Sequence, residues 1–225
     1  MKIPALIAIG SLGLALSGVA RAAGTAPPDH GVEAAVRLGL AIPAGSIQDG
    51  RSLDSYAGSA VPLVLEAGYR VDPSLFVGAR FQYAFPQLKN PMGSCNANNV
   101  SCDGFDMHLG VEGVYRFLAD QKFAPWAGLG FGYEWASEDI NGTGAANIGG
   151  GATFRGWEGI LQGGGDVRVS SQMVLGPYAE VAFGRFETTD GRLRAGNGTT
   201  TTTSDITNTA VHTWIAFGIR GAFGF

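Results

Sequence analysis

Charged side chains in several stretches of this chain lie an even number of positions apart, and their types suit either an ion-pair network or a polar passage. Within each stretch they share one phase, which holds eight carboxylates (Glu33, Glu66, Asp106, Glu112, Glu134, Glu158, Asp166 and Glu180) and six arginines (Arg37, Arg70, Arg80, Arg116, Arg168 and Arg220). Successive side chains of a β-strand point to opposite faces, so residues of one phase lie on one side of a sheet. The other phase is apolar, as Val61, Leu63 and Leu65 illustrate. The pattern predicts strands with one charged and one apolar face.

Three histidines provide the only imidazoles for acid–base chemistry. His30 precedes the first alternating stretch, whereas His108 and His212 fall on the charged phase. A hydrolase or acyltransferase, such as a lipid-A-modifying enzyme, needs an activated nucleophile with a base and an acid in reach. No serine-bearing motif surrounds His212. We therefore predict structural histidines, no catalytic, cofactor-binding or metal-binding residues, and no enzymatic activity; a lipid-A-modifying enzyme is the least favoured alternative.

Eight alternating segments position these side chains. They cover residues 32–43, 59–71, 75–85, 105–117, 123–135, 156–169, 173–185 and 209–225. At about 3.3 Å per residue and a tilt near 45°, a strand of about twelve residues rises roughly 28 Å, close to the apolar thickness of a bilayer. Apart from Arg185, at the end of the seventh span, the apolar face is uncharged within these spans. An apolar outside with a polar inside is typical of membrane barrels, whereas a soluble lipocalin-like barrel, the alternative architecture, should have an apolar interior.

The connections between the segments alternate between long and short. Bacterial outer-membrane barrels have the same asymmetry, with long extracellular loops and tight periplasmic turns. Residues 72–74 form a predicted tight turn, while residues 136–155 and 186–208 are predicted long loops. The second of these loops contains a threonine run, which we expect to be mobile and solvated. Recognition of extracellular ligands would take place on such loops.

Aromatic residues gather where the segments begin and end. One boundary would carry Tyr83, Phe85, Phe105, Tyr133, Trp135, Trp157 and Phe183, and the other Tyr69, Tyr115, Phe117, Phe123, Phe223 and Phe225. Aromatic rings favour the membrane–water interfaces. The distribution predicts two aromatic girdles.

The first 22 residues have the pattern of a secretory signal peptide. Lys2 precedes an apolar run, and Ala20-Arg21-Ala22 fits a small-x-small cleavage site. An uncleaved membrane anchor is the alternative, but the run is short for a spanning helix. Cleavage would leave residues 23–225 as one barrel domain. Its formal charge would be 13 minus 19, or −6, which argues against a nucleic-acid partner.

The two cysteines, Cys95 and Cys102, lie in one polar segment. In an exported chain such a pair predicts a disulfide that closes a loop. A metal site is disfavoured here because no C-x-x-C pair or nearby histidine completes a ligand set.

Four short segments carry a resemblance to a known family. They are PWAGLGFGY at residues 125–133, GGGDVRV at 163–169, GPY at 176–178 and GIRGAFGF at 218–225. With the signal peptide, they resemble the small eight-stranded outer-membrane β-barrels of Gram-negative bacteria, of the OmpA/OmpX type. The resemblance implies an all-β, antiparallel, up-and-down transmembrane barrel in the bacterial cell outer membrane.

The same resemblance implies partners during biogenesis. The last strand of such barrels is read by the outer-membrane insertion machinery, so Ile219, Phe223 and Phe225 are expected to form an insertion signal; the simpler interpretation is that they only face lipid. Periplasmic chaperones would accompany the chain before insertion. Lipid is the partner of the mature protein, which we expect to be monomeric.

The function expected from the sequence is a structural or surface-interaction role. An eight-stranded barrel has an interior that side chains nearly fill, so the inward charges are expected to pair and plug it. A narrow porin-like channel for ions or small solutes, tuned by the same arginines and glutamates, is the alternative. The sequence alone does not separate the two.

Overall fold

The computed structural model describes residues 30–55, 57–89, 100–142, 148–195 and 198–224. The predicted signal peptide, Cys95 and Phe225 lie outside the described residues, so the signal peptide and the disulfide to Cys102 stay predictions. The strands are β1 (Gly31–Gln48), β2 (Arg51–Ser52), β3 (Ala57–Arg70), β4 (Leu75–Leu88), β5 (Val100–Arg116), β6 (Phe123–Gly142), β7 (Ile148–Arg168), β8 (Met173–Ala195), β9 (Gly198–Asp205) and β10 (Val211–Gly224). In these parts of the chain no helix is long and apolar enough to cross a membrane.

Eight strands form a closed antiparallel ring in the order β1, β3, β4, β5, β6, β7, β8 and β10. The ring closes where β10 pairs with β1, which places Arg220 opposite Arg37 and Ile219 opposite Leu38. Closure gives the backbone groups of each barrel strand a partner on both sides, a condition that a strand in lipid must meet. The predicted eight-stranded up-and-down fold is confirmed.

The two faces of each strand have opposite chemistry. On β1, Leu38 is 57% exposed on the outside, whereas Arg37 on the inside is 0% exposed. The same inversion places Val111 and Leu129 outside, and Glu112 inside. A soluble lipocalin-like barrel requires an apolar interior, and the buried charges exclude it.

Aromatic side chains on the outer surface contact one another near both ends of the barrel strands. Tyr83 stacks on Phe105 with ring centroids 5.7 Å apart, and Tyr133 meets Trp157 edge-on at 5.0 Å. At the opposite end, near the short turns, Tyr115 lies 5.2 Å from Phe117. These pairs lie where the sequence predicts the two girdles.

A tight turn joins β3 to β4, as predicted. The Asp72 carboxylate accepts hydrogen bonds from the backbone N–H groups of Ser74 at 2.8 Å and Leu75 at 2.9 Å. A side chain that imitates a backbone turn in this way fixes the reversal locally.

The prediction of long loops at residues 136–155 and 186–208 is wrong for the described part of the chain. Strands β6 and β7 stay paired out to Asn141 opposite Gly149, and β8 continues to pair with β9, which holds the threonine run. Threonine is β-branched and favours extended backbone. Apart from Phe154 and Phe186, the side chains of these hairpins are mostly polar or small, so the alternation that marks the membrane segments is missing. We call the end of the barrel that bears these hairpins the outer end.

Candidate functional site

The barrel lumen is the candidate functional site, and strand register decides which side chains meet there. Paired positions on neighbouring strands point to the same face. The register places Glu66 of β3 opposite Arg80 of β4, and His108 of β5 opposite Glu134 of β6. Residues far apart in the sequence therefore become neighbours around the ring.

Ten of the predicted lumen charges join into one ion-paired cluster, which we call the paired network. It contains five arginines and five carboxylates: Arg37, Arg70, Arg80, Arg116, Arg220, Glu33, Glu66, Glu112, Asp166 and Glu180. Equal numbers of opposite charges let the cluster remain nearly neutral as a whole. This neutrality offsets much of the cost of removing the ions from water.

Arg37 and Arg220 are the two hubs of the paired network. Arg37 pairs with Glu66 and also lies 3.4 Å from Glu180 and 3.6 Å from Glu112. Both arginines are 0% exposed.

Arg220 bridges the other carboxylates. Its guanidinium lies 2.8 Å from Asp166, 3.2 Å from Glu66 and 3.3 Å from Glu33. Arg80 completes the centre by binding Glu180 at 2.8 Å. Each hub thus contacts carboxylates from several strands of the ring.

Uncharged residues that the sequence analysis did not select complete the paired network. The Gln162 side chain accepts hydrogen bonds from Arg37 and Arg80 and donates one to Glu112 at 2.9 Å. Trp126 donates its indole N–H to Asp166 at 3.1 Å, and the Arg37 guanidinium lies 5.2 Å from its ring centroid. Gln162 shares the inward phase of Glu158 and Asp166, a signal that a search for charges alone overlooks.

Arg168 lies apart from the paired network. Its guanidinium donates to the Ala119 carbonyl at 2.9 Å, beside the turn between β5 and β6. This arginine is partly exposed at the end opposite the outer end. Its contact closes a turn rather than neutralising a lumen carboxylate.

The remaining three predicted lumen charges form a second group with both inward histidines, which we call the upper cluster. Its members are Asp106, His108, Glu134, Glu158 and His212. His212 Nε2 lies 2.7 Å from Glu134 Oε2, and His108 Nε2 lies 3.9 Å from Glu158 Oε1. Among the described residues, no arginine or lysine forms an ion pair with these three carboxylates.

An apolar cavity lies above the upper cluster, toward the outer end. Its walls include Leu53, Phe154, Phe186 and Trp214, and Asp106 forms part of its polar lining. The cavity is partly open to solvent, and about 410 Å³ of space, which includes some of that solvent, lies between its walls. Asp106 therefore belongs to the upper cluster and also borders the cavity.

Solved structures with a similar fold are outer-membrane proteins. A major outer membrane protein from Thermus thermophilus superposes with a TM-score of 0.60 at 13% identity, covering 86% of this chain and 99% of that one. Neisserial surface protein A gives 0.49 at 15% identity, covering 88% of this chain and 97% of that one. Ail, the attachment invasion locus protein of Yersinia pestis, gives 0.43 at 13% identity, with 84% and 97% covered.

No protein-family model matches the sequence, and no curated protein matches it. The closed ring, the apolar outer belt and the structural neighbours are together those of a small eight-stranded barrel of the bacterial outer membrane, as the OmpA/OmpX-type resemblance implied.

Proposed function

We propose that this chain is an integral outer-membrane barrel whose lumen is sealed by the paired network and whose role is structural or surface-interacting rather than transporting. The observation that carries the proposal is the complete burial of Arg37, Arg80 and Arg220 in contacts that reach across the ring. Three buried guanidiniums with their carboxylates and Gln162 occupy the space that a solute would need. Surface interactions would use the paired hairpins at the outer end.

Conductance across a planar bilayer tests the seal. We expect the wild-type protein to give no reproducible channel openings. An Arg37→Ala, Arg80→Ala double variant removes two plugging side chains and leaves Glu112 and Glu180 without an arginine partner among the described residues. It should therefore conduct, with a preference for cations because the lumen becomes acidic.

Arg155→Ala is the matched control. Arg155 pairs with Asp190 above the membrane belt, and its side chain is 39% exposed. The Arg155→Ala variant should give no channel openings in the bilayer. A difference in mobility between heated and unheated bands on a gel establishes that each variant has folded. Steady openings by the wild-type protein would favour the narrow channel instead.

We also propose that residues 1–22 are removed on export and that residues 23–225 insert as a monomer without enzymatic function. The apolar run behind Lys2 and the Ala20-Arg21-Ala22 site support the cleavage. The intact mass of protein extracted from outer membranes checks it, and cross-linking in those membranes checks the oligomeric state.

A further inference from the structure

Three side chains from three strands of the upper cluster converge on one point. One ligand atom each from Glu134 on β6, Glu158 on β7 and His212 on β10 lie within 4.8 Å of one another. All three side chains are buried, at 0%, 2% and 0% exposure. Two carboxylates and one imidazole form a common ligand set for a divalent transition metal.

Among the described residues, the carboxylates of the upper cluster lack the direct arginine contacts that stabilise the carboxylates of the paired network. Each carboxylate of the paired network contacts an arginine, whereas in the described chain Glu134 and Glu158 form ion pairs only with histidines. A buried carboxylate is costly unless a cation compensates it or it takes up a proton. A bound divalent cation supplies the missing charge.

His108 gives an independent indication of a ligand. Both of its ring nitrogens are buried without a hydrogen-bond partner, and the residue is 0% exposed. Its Nε2 lies 3.9 Å from Oε1 of Glu158, one of the three residues whose ligand atoms lie close together. Native proteins rarely leave such groups unsatisfied.

Glycines on the inward phase provide the space for this group. Gly184 lies opposite Glu158 on one side and His212 on the other. A Cβ atom at Gly184 would collide with the His212 ring and lie 2.9 Å from Glu134 Oε2. A Cβ atom at Gly132, which also lies opposite Glu158, would lie 2.5 Å from His108 Nε2. Side chains at either position would fill the cradle.

We propose that the upper cluster binds one divalent transition metal ion, with Glu134, Glu158 and His212 as its three protein ligands. Zn²⁺ fits best, because it accepts mixed imidazole and carboxylate ligands in tetrahedral geometry. Mg²⁺ and Ca²⁺ prefer all-oxygen shells and fit less well. The ion would arrive from the outer end through the cavity bordered by Asp106. This site departs from the sequence-based expectation of no metal-binding residues.

A sealed and a conducting barrel would both bind the ion here, so the metal site does not depend on the proposed function. The test uses the folded protein in detergent after chelator treatment, dialysed against Zn²⁺ and analysed for bound metal. We expect one Zn²⁺ per chain. His212→Gln and Glu134→Gln should each weaken binding by at least about 100-fold, beyond the roughly 10- to 100-fold typical of losing an outer-shell partner.

His30→Gln is the matched control, because it removes an exposed imidazole outside the lumen. It should leave the affinity unchanged. X-ray absorption of the zinc-loaded wild-type protein avoids any dependence on variant folding, and should show imidazole nitrogen and oxygen at about 2.0–2.1 Å. Substoichiometric binding, equal affinity in His212→Gln, or a shell of oxygen alone would each overturn the proposal.

Discussion

The paired network and the upper cluster, at two heights in the barrel lumen, compensate their buried charges in different ways. In the paired network, five arginines match five carboxylates, and hubs such as Arg220 hold three carboxylates at once. In the upper cluster, three carboxylates meet two histidines and, within the described chain, no arginine partner. A buried charge is therefore structural where a fixed partner neutralises it, and is a candidate for binding where that partner is absent.

The largest expected effect comes from breaking the paired network. Arg220→Met retains much of the side-chain volume but leaves Glu33, Glu66 and Asp166 without a shared cation. Removal of one member of a buried ion cluster should lower the free energy of unfolding by about 3 to 5 kcal/mol. Urea titration in lipid vesicles, followed by tryptophan fluorescence, measures the loss. A loss of unfolding free energy below about 1 kcal/mol would show that the paired network does not stabilise the barrel, and would contradict the contrast with the upper cluster.

Filling the cradle of the upper cluster should have the next largest effect. Gly184→Ala forces the His212 ring and the Glu134 carboxylate to move, and overpacking of this kind costs about 1 to 3 kcal/mol. The same variant should bind zinc more weakly. Gly159→Ala is the control, because a Cβ atom there meets nothing within 4 Å. Equal stability and equal zinc affinity of the two variants would contradict the proposal that Gly184 provides space for the metal-binding side chains.

Neutralising the upper cluster should have an effect of opposite sign. In metal-free protein at pH 8, Glu158→Gln removes a buried carboxylate without a cationic partner and should raise the free energy of unfolding by about 1 to 2 kcal/mol. Zinc should reverse the order of stability, because ligand at 100 times its Kd stabilises the wild-type protein by about 2.7 kcal/mol. Paired urea titrations with chelator and with zinc check both signs. A loss of stability without metal would place Glu158 in the same class as the paired network.

The smallest effect is expected outside the lumen. Arg192 pairs with Asp139 at 3.0 Å on the outer hairpins, where both side chains are about one-third exposed. Solvent screening reduces such a pair to about 0 to 1 kcal/mol. Arg192→Met should therefore shift the urea midpoint only slightly, and less so at high salt. A loss comparable to that of Arg220→Met would remove the distinction between buried and exposed pairs.

Much of the fold was predictable from the sequence because the bilayer imposes a repeating rule. Arg37 and Leu38 are adjacent in the sequence, yet Arg37 faces the lumen and Leu38 faces outward, so the alternation of residue types locates both faces. The hairpin of β8 and β9 escaped prediction because water surrounds both of its faces. There the Thr203 hydroxyl donates a hydrogen bond to the Asp190 carboxylate at 2.7 Å. Polar contacts between strands of this kind produce no hydrophobic periodicity in the sequence.

The two-residue period of a strand is local, so the order of residues along the chain is enough to show which side chains face inward. Which of these side chains meet depends on the three-dimensional fold. Register and ring closure bring Arg220 to Asp166, and leave Glu134 and Glu158 with histidines instead of arginines. The pairing of side chains in a closed barrel depends on the stagger between strands and on contacts across the lumen. The spacing of residues within a single strand predicts neither of these.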